Sequence, residues 1–172
     1  MIRHLAQHRV SRTRDQRYGP EYSFGATYYD ARDEALRRGD RVIGTEHLLL
    51  ALLVDPASPA AKAIGRDLET ARRVLADLDA EALSAIGIEP GIAAGPPRVR
   101  TQTRLRLTPG AKAIFTSIPD ARRSRKPGLE KVFNSLLDLR APDPAATLLS
   151  RLGVDRRASR TRFTELEEEA GP

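Results

Sequence analysis

Thr45, Glu46 and His47 are the residues whose types and position most suggest a binding spot in this chain. They open its densest apolar run, Ile43-Gly44-Thr45-Glu46-His47-Leu48-Leu49-Leu50-Ala51-Leu52-Leu53. Gly44 ends the preceding turn, and Thr45 can cap a helix by accepting from a freed backbone N–H. Glu46 then sits at the positive end of the helix dipole, a position that also suits a carboxylate with no other duty. His47 reads as a packed or capping histidine rather than a switch or a ligand, because His4 and His8 both lie far back in the chain. Other chemistry is scarce. The chain has no cysteine, which excludes a disulfide framework, a thiolate metal site and a thiol nucleophile. It has no Ser/His/Asp set with helpful spacing, no cluster of metal-ligand types and no Gly-x-x-x-x-Gly-Lys-Ser/Thr loop to cradle phosphates. Asp33 and Glu34 read as the solvated face of a helix. No enzyme and no cofactor are expected.

The elements that must position these residues are helices. Aromatics are 5% of the chain, so the core must be Leu, Ile, Val and Ala. The Leu-rich run leaves almost no polar face, so its helix, Thr45 to about Val54, should be buried on most sides. It is too short to span a bilayer, where about 20 apolar residues are needed. Before it, Phe24, Tyr28, Ala31, Ala35 and Leu36 make one stripe of a helix that Gly39-Asp40 stops. After it, Asp55-Pro56 ends the run, Ser58-Pro59 caps and starts a short helix, and Asp67 begins a longer one carrying Leu68, Ala71, Val74, Leu75 and Leu78. Residues from about Ser84 to Arg106 hold Gly87, Pro90, Gly91, Gly95, Pro96 and Pro97 and read as a linker ending in a basic segment. Thr108-Pro109 restarts a helix, and Pro119 cuts it short. A basic cluster of Arg122, Arg123, Arg125 and Lys126 precedes Pro127-Gly128 and a second apolar helix. Asp143-Pro144 caps a further short helix, and Asp155 opens the last one, with Ala158, Arg162, Phe163 and Leu166 at roughly helical spacing.

The two halves follow one plan. Gly44-x-Glu46-x-Leu48 is answered by Gly128-x-Glu130-x-Val132, and Ser58-Pro59-Ala60-Ala61 by Asp143-Pro144-Ala145-Ala146. Two such units would make one adequate core where each alone buries little. The expected organisation is a basic arm over 1–20, a first repeat over 21–83, a linker over 84–106 and a second, degenerate repeat over 107–169.

The stretch Asp33-Glu34-Ala35-Leu36-Arg37-Arg38-Gly39 with Ile43-Gly44-Thr45-Glu46-His47-Leu48-Leu49-Leu50 closely resembles the first repeat of the N-terminal domain of Clp-family unfoldase ATPases, especially the ClpC type. Leu107-Thr108-Pro109-x-Ala111-Lys112 and Ala145-Ala146-x-Leu148-Leu149-x-x-Leu152-Gly153-Val154 resemble the second. The resemblance implies an all-α fold of two tandem four-helix repeats packed with pseudo-twofold symmetry. It implies a non-catalytic module that docks adaptors, tagged substrates or the Clp ATPase itself. In ClpC-type proteins each repeat can hold a phosphorylated arginine. By that resemblance Glu46 and Glu130 pair with the guanidinium group, while nearby hydroxyls and helix-start N–H groups meet the phosphate. Thr108 matches the family's threonine before the second repeat's first helix, and Ser23 is a loose equivalent in the first. Leu129 stands where the second motif would carry threonine, which weakens that site.

Charge supplies a competing reading. The chain carries 29 Lys and Arg against 23 Asp and Glu, a formal net charge of +6. Such a balance favours contact with nucleic acid, anionic surfaces or acidic proteins. Arg3, Arg9, Arg12, Arg14 and Arg17 face only Asp15 over the first twenty residues, which read as a disordered arm without a secretory pattern. A nucleic-acid-binding protein using this arm and the basic linker is therefore the alternative. It lacks a recognised motif and stacking aromatics. The absence of cysteine fits a reducing cytoplasm.

Overall fold

A computed structural model describes residues 24–88, 105–117 and 125–169, and eight helices are found among them. The first, α1, spans Phe24–Arg38 and ends at Gly39, whose φ of 81° is the left-handed turn that glycine adopts freely. A two-residue strand, β1 (Val42–Ile43), leads into α2, Thr45–Leu52. Next come α3 (Pro59–Ile64) and α4 (Leu68–Ala85). In the second half β2 (Arg106–Leu107) leads into α5 (Pro109–Thr116). It is followed by α6 (Arg125–Asp138), α7 (Pro144–Arg151) and α8 (Arg156–Glu169). Five of the helix starts read from sequence are real caps. Ser58 accepts from the Ala61 N–H, Asp67 from Thr70, Thr108 from Ala111 and Asp143 from Ala145. Asp155 accepts from Arg157 and Ala158. Each is worth about 1 kcal/mol.

The Leu-rich helix α2 is the centre of the fold. All of its residues except Glu46 are buried, and α1, α4, α5, α6 and α7 all pack on it. Its leucines meet Val132, Phe133, Leu136 and Leu137 of α6 and Leu148 and Leu149 of α7 in one continuous core. Phe133 stacks on Phe163 of α8 at 4.4 Å between ring centroids. At the far side α3 lies on α8 and α4 on α7. Arginines there satisfy carbonyls that short helices leave unpaired at their ends. Arg66 donates to Leu152 O at 2.8 Å, Arg162 to Ala63 O at 3.4 Å and Arg156 to Leu139 O at 2.5 Å. Among the described residues the class is all-α apart from one parallel strand pair, Val42 with Arg106 and Ile43 with Leu107. That pair continues into a hydrogen bond from Thr108 N–H to Ile43 O at 2.9 Å, which fixes the start of α5 beside the start of α2.

Four expectations change. Glu34 is not on a solvated face: it is 5% exposed and accepts from Arg37 of its own helix and Arg72 of α4. Its neighbour Asp33 stays near the surface, with Arg32 at 2.8 Å. The linker is shorter at both ends, since α4 continues to Ala85 and Arg106 belongs to a strand. The second apolar helix starts before Pro127-Gly128, at Arg125, so Gly128 lies inside α6 rather than in front of it. Proline is tolerated there because the first turn of a helix needs no N–H from it. On α8 the inward face is Ser159 and Phe163 rather than Ala158 and Arg162. The arm, the middle of the linker, Ser23, Arg122 and Arg123 lie outside the described residues.

Burial pushes the Glu34 carboxyl up, but the hydrogen bonds and charges of Arg72 and Arg37 outweigh it and leave it below the usual glutamate value. A carboxylate whose folded value is lowered stabilises the fold in full above its unfolded value, and that contribution is lost as pH falls through the folded value. Glu34→Gln should therefore cost about 2 kcal/mol in urea unfolding near neutral pH. The difference from wild type should shrink steadily once the pH drops below the ordinary glutamate range, about pH 4.

Candidate functional site

The exposed start of α2 holds the polar groups that its buried remainder cannot. Gly44 is the N-cap, with extended backbone (φ −95°, ψ 178°) and no side chain to close the helix end. His47 satisfies the N–H of the N-cap itself. Its Nδ1 accepts the Gly44 N–H at 3.0 Å, a capping box with histidine at the third position in place of Glu or Gln. Because Nδ1 accepts, the ring proton sits on Nε2, which donates to Asp40 Oδ2 at 2.9 Å. Asp40 also takes Arg38 at 3.0 Å. The His47 hydrogen bond, and behind it Arg38, hold the Asp40 carboxyl below its usual value despite partial burial. His47 is thus both packed, at 1% exposure, and capping, as its setting in the sequence suggested.

Thr45 does not cap. It is the first helical residue, 2% exposed, and its hydroxyl donates to Asp143 Oδ1 at 2.8 Å, ninety-eight residues away. Asp143 at the same time caps α7. The start of α5 joins them. A Cβ on Gly110 would lie 3.3 Å from the Thr45 methyl and 3.6 Å from Asp143 Oδ2, so only a residue without a side chain leaves this approach relaxed. Three helix N-termini, those of α2, α5 and α7, therefore meet at one place. The ends of α5 and α7 are closed by Thr108 and Asp143, while the N-cap of α2 is a glycine with no side chain to accept from the first helical N–H groups.

Glu46 sits in the first turn of α2, next to Thr45. Its side chain is 17% exposed and folds back across Gly44, where a Cβ would come within 2.3 Å of its carboxylate oxygens. Oε1 is 3.2 Å from His47 Nδ1. Oε2 is buried and has no hydrogen-bond partner in the structure. An orphaned carboxylate oxygen at that depth costs free energy that a donor from outside would recover.

The remaining expected site residues divide. Thr108 is brought close to α2 by the strand pair, and its oxygen accepts from Ala111 N–H at 3.3 Å. Glu130 is exposed on the second turn of α6, away from that helix's start, and has no ion pair among the described residues. Leu129 beside it is buried in the core. Glu130 therefore lies off the helix start, whereas Glu46 is in the first turn of α2. Sequence reasoning missed Asp143 and Asp40 as members of the site. The His47 spacing from Gly44 was the one available signal for its capping role. Among the described residues no group of three or more His, Cys, Asp or Glu side chains could hold a metal ion, and no helix is long and apolar enough to cross a membrane.

The model of the Clp repeat N-terminal domain matches residues 24–128, more than half of the chain. The chain belongs to the Clp repeat N-terminal domain family. The match runs from the first residue of α1 to Gly128 and so contains the whole of the α2–α5 junction. No curated protein matches this Clp repeat chain.

Two substitutions probe the junction. Thr45→Val keeps the shape but removes the donor to Asp143, and should cost about 1 kcal/mol in thermal or urea unfolding. A double-mutant cycle with Asp143→Ala should show non-additivity of at least about 0.5 kcal/mol. Gly44→Ala fits the backbone, yet its methyl occupies the place of the Glu46 carboxylate. It should leave stability within about 1 kcal/mol of wild type while turning Glu46 outward, seen as a shift of the Glu46 side-chain carboxyl resonance.

Proposed function

We propose that this Clp repeat chain is a non-catalytic protein-interaction module of the Clp unfoldase system. It docks adaptors, tagged substrates or the Clp ATPase through the start of α2. It would act as an adaptor, decoy or regulator, and the chemistry of its best site is that of an arginine-phosphorylated protein. The observation that carries the reading is the Glu46 carboxylate, in the first turn of α2 with one buried oxygen that has no hydrogen-bond partner.

The physics runs as follows. A guanidinium group offers paired N–H donors that match the two oxygens of a carboxylate, and would satisfy Glu46 Oε2. A phosphate on that guanidinium then needs donors. The Gly110 N–H at the start of α5 and the hydroxyl proton of Thr108 stand on the neighbouring strand-linked element. The Thr45 hydroxyl, already given to Asp143, serves the frame rather than the ligand. Glu130 stands outside any such cluster, so the module has one working site and a second motif reduced to a surface residue. Ser23, outside the described residues, is proposed as the first repeat's hydroxyl donor on the family resemblance alone.

The test is calorimetry of the purified chain with free phosphoarginine. Wild type should bind one equivalent, Glu46→Ala should lose at least about tenfold in affinity, and Glu130→Ala should bind as wild type. Absence of heat from the wild-type chain, together with failure to capture any Clp ATPase subunit, removes the reading. Two equivalents, one lost with Glu130→Ala, restores a working second site.

A further inference from the structure

We propose that His47 is the positioning residue for Glu46, and that the protonation of its Nδ1 decides whether the Glu46 carboxylate is held inward or is available to a ligand. This rests on the reading of Glu46 as the docking group. The imidazole Nδ1 has one position for a proton or a lone pair, and two groups compete for it. Gly44 N–H is 3.0 Å away and donates, which needs the lone pair. Glu46 Oε1 is 3.2 Å away and can only accept, which needs a proton. Both cannot be served at once.

With the ring neutral, Nδ1 caps α2 through Gly44, and Glu46 has a lone pair on one oxygen's side and no partner for the other. The carboxylate then gains by turning to water or to a cationic ligand. With the ring protonated, Nδ1–H donates to Glu46 Oε1, an ion pair forms inside the 1% exposed site, and Gly44 N–H loses its acceptor. Nε2 keeps its bond to Asp40 in both states, so the ring stays in place and only its Nδ1 side changes meaning.

The charged groups around the ring come from several elements. Asp40, between α1 and β1, contacts it directly, and Glu46 does so from α2 itself. Arg38 of α1 reaches it through Asp40, and Asp79 of α4 through Arg38 at 2.6 Å. Asp143 at the start of α7 stands on the adjacent Thr45. Among the described residues α5 and α6 bring no charged group into hydrogen-bond reach of His47. The proton and a ligand cation therefore compete for the same carboxylate, and binding weakens as Nδ1 gains its proton. When about nine rings in ten carry that proton, the binding-competent fraction is about a tenth and affinity falls about tenfold.

The experiment uses the full chain in two arms. Imidazole 15N spectra and Gly44 amide exchange are followed from about pH 7.5 to about pH 5.5, above the ordinary carboxylate range. Phosphoarginine binding is measured at both ends for wild type and for His47→Asn, whose side-chain oxygen can accept from Gly44 N–H without titrating. Support requires the Nε2–H tautomer at the higher pH and faster Gly44 exchange at the lower. It also requires a roughly tenfold loss of affinity in wild type and little change in His47→Asn. An Nδ1–H tautomer at the higher pH, or an equal loss in both proteins, overturns the proposal. If neither protein binds at either pH, the docking reading fails instead. The Glu46 carboxyl resonance then decides: movement with the His47 titration supports the relay, and indifference to it overturns it.

Discussion

Everything in this fold follows from enclosing one helix that has no polar side. From Leu48 to Leu52 α2 presents apolar atoms in every direction, and water must be excluded from all of them. One flanking layer cannot do that. Helices from both halves of the chain are required, and α1, α4, α5, α6 and α7 close around it. Each buried leucine contributes about 1.5–3 kcal/mol, so a half-enclosed α2 would forfeit much of the stability of a domain this size.

The same enclosure creates the site. A helix buried along its length reaches the surface only at its ends, and its first N–H groups arrive there without partners. Gly44 offers no side chain, so His47 turns back to cap it, and Asp40 orients the ring. Thr45 spends its hydroxyl on Asp143, which ties the two halves at the point where α5 and α7 also begin. Three carboxylates, Asp40, Glu46 and Asp143, stand beside the first turn of α2. Asp40 and Asp143 are each held by neighbours through one oxygen. Among the described residues Glu46 alone has a buried side-chain oxygen with nothing to bond.

The halves are unequal for a local reason. In the first, Gly44 stands before the helix, so the acidic residue two positions on falls in the first turn. In the second, the helix begins at Arg125 and passes through Pro127 and Gly128, which moves Glu130 to the second turn. Leu129, in the place of Thr45, goes into the core. A shift of a few residues in where a helix nucleates thus separates a carboxylate from the N–H groups that would have made it part of a site. The cap at Ser58 shows the same inequality. Its hydroxyl turns to Leu52 O, whereas Asp143, its counterpart by sequence, receives Thr45 from the other half.

Local pattern in the sequence was sufficient for the helices and most of their starts. Ser58, Asp67, Thr108, Asp143 and Asp155 cap because their short side chains reach N–H groups two or three residues ahead, and nothing distant is needed for that. The run from Leu48 to Leu52 required burial whatever surrounded it. Tertiary structure decided the rest. Only the packing of α4 on α1 could bring Arg72 to Glu34 and turn an apparently solvated carboxylate into a buried, ion-paired one. Only the strand pair and the meeting of three helix starts could give Thr45 to Asp143 and leave Glu46 unmatched. These contacts join residues tens of positions apart. Hydrogen bonds and charges at such separations depend on distances of a few ångströms that no local pattern specifies.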